Sequence, residues 1–327
     1  MTDQEKQARR GCFKYGCFGC LGVAGLAVIA AGVIALFAVV QGPPERDIVE
    51  AEVVRELPGF PALPTGTIDT DRGDGVAGGE LIPLSGQAGR VVLDLSGGEF
   101  HVTPGEPGEP IRVGGTYNAG AYELTEEFRQ EEAGWTWRVR FKRSVSWTRM
   151  LHTDQHEGNR IEISLPPGLP FSLEGRVGQG VSRIELGGLS VRGVELDLSM
   201  GEHAIDFSEP VPEPLERFEV GARMGEYRFG GLGNASPPSI SLRGRMGEAT
   251  LDLRGDWQGD ATITASWTMG ACIVRVPDDV HLDTDGVTVF LGEASTSALA
   301  RRPTPPAGAP TLDLNLSASM GEMQVRP

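Results

Sequence analysis

The sequence predicts an all-β protein, a β-solenoid of stacked coils of about 22–24 residues, preceded by one N-terminal transmembrane α-helix. Three observations predict it. The 327 residues include 46 Gly and 23 Pro, which suit short strands joined by tight turns. A glycine motif recurs at nearly constant spacing through the C-terminal part of the chain, and one long apolar run stands near the N-terminus.

The apolar run extends from Leu21 to Val40 and contains neither a charged residue nor a proline. A helix of this length, at about 1.5 Å per residue, spans the roughly 30 Å hydrocarbon core of a bilayer. A cleaved signal peptide usually has an apolar region of only about 7–15 residues. We therefore expect residues 21–41 to be a transmembrane helix.

The basic residues around the apolar run are distributed asymmetrically. Four of them precede it within residues 1–20, and the next one along the chain is Arg46. Because basic segments stay in the cytoplasm, this bias predicts a single-pass protein of the cell membrane with a cytoplasmic N-terminus. Everything after Gln41 is then extracytoplasmic.

The outer part of the chain is strongly acidic. Residues 1–20 contain four basic and two acidic side chains, a balance of +2, so the rest carries −18 against a total of −16. Such a field repels polyanions, which excludes nucleic acid as a partner.

Three of the four cysteines, Cys12, Cys17 and Cys20, lie in the cytoplasmic segment. Their spacing matches the first three ligands of a plant-type iron–sulfur pattern, but a fourth thiolate is needed and Cys272 is expected across the membrane. Unmodified interfacial cysteines and acylated cysteines both remain open. No cofactor is expected, and the outer domain has no second cysteine for an internal disulfide.

Residues 42–88 mix Pro, Gly and acidic residues with little periodicity, as in a tether, with at most one short helix near Asp47–Leu57. The tripeptide Arg72-Gly73-Asp74 within this segment is known from integrin ligands, but three residues carry little information and we interpret them as a solvated turn. The outer domain proper is expected at residues 89–327.

The repeat is a strand that ends in Met-Gly-Glu. Weaker copies occur at residues 97–99 and 177–179, and from Val177 to Leu291 the motif recurs every 22 to 24 residues. Apolar residues fall on alternate positions before the motif and on the opposite parity after it, which requires a bulge or corner where glycine tolerates unusual backbone angles. We expect the methionines to fill the core. The repeat-corner glycines are Gly201, Gly225, Gly247, Gly270, Gly292 and Gly321.

The glutamates of the motif take one position in successive repeats, and their parity predicts that they point outward. Carboxylates in stacked coils would lie about 4.8 Å apart along one face. Two interpretations remain open: a solvated ladder, or a weak metal site for a divalent cation such as calcium or for a basic partner. These residues are Glu202, Glu226, Glu248, Glu293 and Glu322.

An insertion at residues 117–160 breaks the repeat. Within it Trp135, Trp137, Val139 and Phe141 share one face of a predicted strand that forms a hairpin with residues 122–129, while Arg138, Arg140 and Lys142 take the other face. This basic face is a candidate contact for an anionic glycan or another partner; the alternative is a solvated face paired with nearby glutamates. A second departure, Arg301–Pro310, predicts a proline-rich surface loop.

The sequence contains no Gly-x-Ser-x-Gly or phosphate-loop motif and no pair of Cys-x-x-Cys motifs. His152 and His156 could share a metal on a helix, but the surrounding residues have no helical pattern. We therefore expect no enzyme, while a glycan-active β-helix enzyme remains the alternative.

The strings LDLSGGEFHV, LDLSMGEHAIDF, FEVGARMGEYRF and ISLRGRMGEATLDL resemble the adhesin-like and toast-rack β-solenoid domains of bacterial envelope proteins. That group is similar to the C-terminal domain of cell-wall-active antibiotics response proteins. The resemblance covers residues 89–327 and implies a non-catalytic domain that often follows a membrane helix, with some members linked to envelope stress. The expected role is a membrane-anchored binding or scaffold protein, with envelope proteins or wall polymer as partners; a purely structural spacer is a further alternative.

Overall fold

The computed structural model describes residues 48–49, 88–131, 134–144 and 158–327. These residues are nearly all β, as expected; helix is limited to one turn, α1 (Leu232–Ala235), and a 3-10 helix at Ser297–Arg301. The strands are β1 (Ile48–Val49), β2 (Gly89–Pro104), β3 (Arg112–Asn118), β4 (Tyr122–Glu131), β5 (Gly134–Arg143), β6 (Arg160–Leu165), β7 (Phe171–Glu185), β8 (Val191–Asp206), β9 (Arg217–Gly230), β10 (Ser239–Asp252), β11 (Ala261–Arg275), β12 (His281–Asp283), β13 (Thr288–Ser295) and β14 (Thr311–Arg326).

Seven long strands of 14–16 residues form the body of the domain. They pair in parallel in the order β2-β7-β8-β9-β10-β11-β14. Each strand aligns with the next so that equivalent residues of the repeat become neighbours, as Phe218, Ile240 and Ile263 do. This in-register stack is consistent with a toast-rack β-solenoid.

Each long strand changes its buried face at the glycine of the motif. In β8 the side chains of Leu196 and Leu198 are buried before the motif, and those of His203 and Ile205 are buried after it. The parity therefore shifts by one between them. Gly201 at this point has φ +138°, which side-chain-bearing residues rarely adopt.

The core is formed by apolar columns that run through the stack. Phe207, Phe218 and Phe229 contact one another edge to face, with ring centroids 6.2 and 5.9 Å apart. Trp267 fits against the backbone of Gly244, where a Cβ would lie 1.9 Å from the indole. Burial of these apolar side chains is the main stabilising contribution, at about 25 cal/mol per Å².

The insertion covers the N-terminal end of the stack. β4 and β5 form the expected antiparallel hairpin, with Trp135, Trp137, Val139 and Phe141 buried. β5 pairs with the first half of β2 and β6 with the second half, so that most of this edge of β2 is paired. Covered edges of this kind cannot recruit further strands.

β1 pairs antiparallel with β3. Ile48–Val49 are therefore extended, and the short helix predicted near Asp47–Leu57 does not include them. Because these two residues are extended, they pair with Asn118 and Tyr117 at the end of β3.

The last two coils do not stack in chain order. β14 pairs directly with β11, and the earlier strands β12 and β13 pair with the far side of β14. Leu312, Leu314 and Leu316 of β14 are fully buried, whereas nearly all of β13 is exposed. The better apolar strand therefore occupies the inner place, and the chain returns to it through the loop predicted at Arg301–Pro310.

Several predicted features lie outside the described residues. These are the apolar run from Leu21 to Val40, the cytoplasmic cysteines, the Arg72-Gly73-Asp74 tripeptide and the His152 and His156 pair. In the part of the chain that the structure does describe, no helix is both long and apolar enough to cross a bilayer.

Candidate functional surface

The motif glycines form one continuous column through the stack. A Cβ placed on any of seven of them would lie 1.8–2.0 Å from the carbonyl oxygen of the neighbouring glycine in the column. All seven have φ between +112° and +150°. They are Gly180, Gly201, Gly225, Gly247, Gly270, Gly292 and Gly321, and Gly98 occupies the N-terminal end of the column.

One weak copy of the motif was misaligned. The sequence analysis placed it at Val177-Gly178-Gln179, whereas Gly180 pairs with both Gly98 and Gly201. The residue at position 181 is valine, so this coil lacks the glutamate that would reveal its register.

The prediction that the motif methionines fill the core is wrong. Their side chains are 39–47% exposed and form a row across neighbouring strands, which we call the methionine ladder. Its members are Met200, Met224, Met246, Met269 and Met320, with Leu291 continuing it at the edge. The backbone turns at the corner, so the methionine side chain, one residue before the glycine, faces solvent and not the core.

Two aromatic side chains occupy the space beneath the corner instead. Tyr227 Oη donates to the carbonyl of Ser199 at 2.5 Å and accepts the backbone N–H of Arg223 at 3.0 Å. Trp267 Nε1 donates to the carbonyl of Gly247 at 3.0 Å. These bonds satisfy backbone groups of the corner, a role that the sequence analysis missed because the partners lie 4 to 28 residues away.

The closest approach to a nucleophile and a base is buried. Ser182 Oγ and His203 Nδ1 are 2.8 Å apart, and the two residues are only 1% and 2% exposed. Burial lowers the pKa of His203 to about 4, so the imidazole is neutral at neutral pH. The pair forms a hydrogen bond within the core, at the floor of a cavity of about 350 Å³.

Cys272 is similarly inert. It lies in the same inward column as His203 and Tyr227, one strand beyond Ala249. Burial raises the pKa of its thiol to about 12, which keeps it protonated. Cys272 therefore contributes packing to this surface and no chemistry.

The motif glutamates point outward. Glu202, Glu226 and Glu248 stack on adjacent strands, Ala271 interrupts the row, and Glu322 and Glu293 continue it beyond. No group of three or more His, Cys, Asp or Glu side chains among the described residues is placed to hold a metal ion. The described residues form a ladder of carboxylates, and calcium binding stays the alternative hypothesis.

The basic face of β5 lies close to two carboxylates. Lys142 Nζ lies 2.8 Å from Asp94, and Arg138 and Arg140 lie 3.9 and 3.8 Å from Glu127. This is the alternative that the sequence left open, a strand face paired with neighbouring acids. Glu127 also pairs with Arg129, so one carboxylate is shared by three arginines, and the contact of Arg138, Arg140 and Lys142 with an anionic partner stays a prediction.

A different basic cluster assembles in the middle of the stack. Arg223 lies on β9, and Arg243 and Arg245 lie on β10, where they line a trough of about 650 Å³ on the outer face of the first half of the strands. We call these three residues the arginine cluster. The sequence analysis missed it because its members come from two different repeats.

Residues 67–225 match the family described as the N-terminal domain of toast_rack, DUF2154. The chain carries a toast-rack type domain. The match runs from the segment before β2 to the corner glycine of β9. The strands from β10 onward continue the same repeat beyond the matched residues.

Two solved structures are similar to this chain. One is a proposed cell adhesion protein from Clostridium sporogenes, at 10% identity and a TM-score of 0.40, covering 74% of this chain and 93% of that one. The other is a proposed adhesin from Bacteroides fragilis, at 9% identity and a TM-score of 0.33, covering 74% of this chain and 94% of that one. None of the curated proteins compared with the sequence matches it.

Proposed function

We propose that this protein is a non-catalytic binding or scaffold module of the bacterial envelope, anchored by residues 21–41 and displaying the toast-rack domain outside the cytoplasm. The observation that carries the proposal is the in-register stack, which repeats the same outward groups at each corner. A rigid row of methionines beside a row of carboxylates offers a partner an extended and regular surface. The similarity to adhesin-like proteins is in keeping with such a role.

The burial of the reactive groups supports a non-catalytic role. Ser182, His203 and Cys272 are at most 2% exposed, so these nucleophiles and bases are largely withdrawn from solvent. Catalysis needs such groups converging on an accessible cleft. Hydrolysis of envelope glycan by the purified chain, seen as release of new reducing ends, would contradict the proposal.

The binding role can be separated from a purely structural spacer by cross-linking in living cells. A photoreactive amino acid is placed at Met224, in the exposed ladder, and in a matched strain at Gln258, an exposed loop residue away from the corner. A binding module gives a discrete cross-linked product from position 224 and none from position 258. A spacer gives the same weak, diffuse pattern from both positions.

A further inference from the structure

The arginine cluster brings three guanidinium groups to one place. Arg243 and Arg245 alternate along β10 and therefore share its outer face. Arg223 lies beside Arg245, because Ala222 pairs with Gly244 and Met224 with Met246. Neighbouring strands are about 4.8 Å apart, so the three long side chains can reach a single small ligand.

None of these three arginines forms an ion pair within the described residues, although the domain has a large excess of acids. Other arginines on the same face are paired: Arg176 lies 3.8 Å from Asp197, and Arg217 lies 3.3 Å from Glu195. Like charges on adjacent strands repel one another, so the cluster is unfavourable for folding unless an anion compensates it.

The surroundings of the cluster favour an oxyanion. The hydroxyl groups of Ser241, Ser266 and Thr268 line the same trough and can donate further hydrogen bonds. Asp197 lies in the same row as Arg243, with Gly221 between them, and its carboxylate oxygen would be 2.6 Å from a Cβ on Gly221. Glu174, Glu195 and Glu219 also line the trough, so the favoured place for an anion is the end where Arg223 and Arg245 lie.

We propose that the arginine cluster binds a phosphoryl group carried by an envelope molecule. Guanidinium forks bind phosphate oxygens in pairs, and three of them can surround an anion that presents three or four oxygens. A single carboxylate is satisfied by one such fork. This ligand belongs to the binding module proposed above. The proposal rests on that function in one respect, that the ligand lies outside the cytoplasm.

The test uses the full-length chain purified in a non-ionic detergent. Isothermal titration measures binding of pyrophosphate, inorganic phosphate and poly(glycerophosphate), and sedimentation measures binding to phosphatidylglycerol vesicles against phosphatidylcholine vesicles. The variant is Arg243→Gln with Arg245→Gln. The control is Arg129→Gln with Arg254→Gln, which removes the same charge from two exposed arginines that have carboxylate partners outside the trough.

We expect the wild type and the control to bind the phosphate probes and the variant to bind at least about tenfold more weakly, with affinity falling as salt rises. Without phosphate, the variant should melt no lower than the wild type, because repulsion is relieved. The probe that binds most tightly identifies the source as a free phosphate, a phosphodiester polymer or a lipid headgroup. Arg223→Gln, on the neighbouring strand, must weaken binding as well, which keeps the test valid if the double variant does not fold.

The proposal is overturned if no phosphate probe binds the wild type, or if the control loses as much affinity as the variant. Equal affinity for a polycarboxylate such as polygalacturonate would overturn the preference for phosphate. Failure of this ligand leaves the binding module itself intact, since the cross-linking at position 224 decides that question separately.

Discussion

Gly247 lies against the carbonyl oxygen of Gly225, so closely that a Cβ on Gly247 would be 2.0 Å from that oxygen. Gly247 also has φ +112°. Both the angle and the contact recur along the glycine column, so the corner depends on residues without side chains on several adjacent strands. The coils can stack this closely because the residue at this position of each repeat is glycine.

Replacing Gly247 with Val should destabilise the domain by at least about 3 kcal/mol. A β-branched side chain resists the required angles, which alone costs about 1–3 kcal/mol, and its Cβ would collide with backbone that cannot move aside. Urea unfolding measures the loss. The control is Gly259→Val, where a Cβ meets nothing within 4 Å. Equal stability of the two variants would show that the corner tolerates side chains.

Replacing Tyr227 with Phe should cost about 1–3 kcal/mol of unfolding free energy. The change removes the hydroxyl that bonds Ser199 and Arg223 and leaves two corner backbone groups unsatisfied. Chemical denaturation of the variant measures this cost. Tyr117→Phe is the control, since Tyr117 is only partly buried at the rim of the core. A neutral effect at Tyr227 would mean that water satisfies these groups.

The stability of the domain should fall as the pH drops below about 6.5. Burial lowers the pKa of His203 from 6.5 to about 4, so the unfolded chain binds a proton in this range before the folded chain does. The resulting decrease in the free energy of unfolding reaches about 2–3 kcal/mol by pH 4.5 and levels off below pH 4. The variant His203→Gln should lack this part of the pH dependence in unfolding titrations. Parallel curves for both proteins would show that His203 titrates normally.

The glutamate ladder should behave as a row of repelling solvated charges. Changing Glu226 and Glu248 to Gln should raise the melting temperature at low salt, and the gain should shrink as sodium chloride is added. Calcium at millimolar concentration should stabilise the wild type no more than sodium chloride of equal ionic strength does. A calcium effect that is present in the wild type and lost in the variant would instead establish a cation site.

The topology can be checked with reporter fusions. Alkaline phosphatase fused after Val325 should be active, because the positive-inside bias places the domain outside the cytoplasm. A reporter that works only in the cytoplasm should be silent at the same place. The opposite result would invert the expected orientation of the chain.

The sequence by itself determined the features that depend on local alternation. The parity change around Gly201, the buried face of β5 and the β4–β5 hairpin all follow from the period of two in a strand, which the order of residues records directly. The spacing of the motif likewise predicted that coils stack in register.

Only the tertiary structure decided what lies at the corner and which strands become neighbours. Alternation assigned Met224 to the core, but Tyr227 and Trp267 fill the space beneath the corner, and the methionine faces solvent. Arg223 and Arg245 are 22 residues apart and become neighbours through pairing across repeats. Likewise β14 lies inside β13 because its leucines bury more apolar surface. Such relationships arise from competition among segments for burial, and that competition is settled only when the whole stack forms.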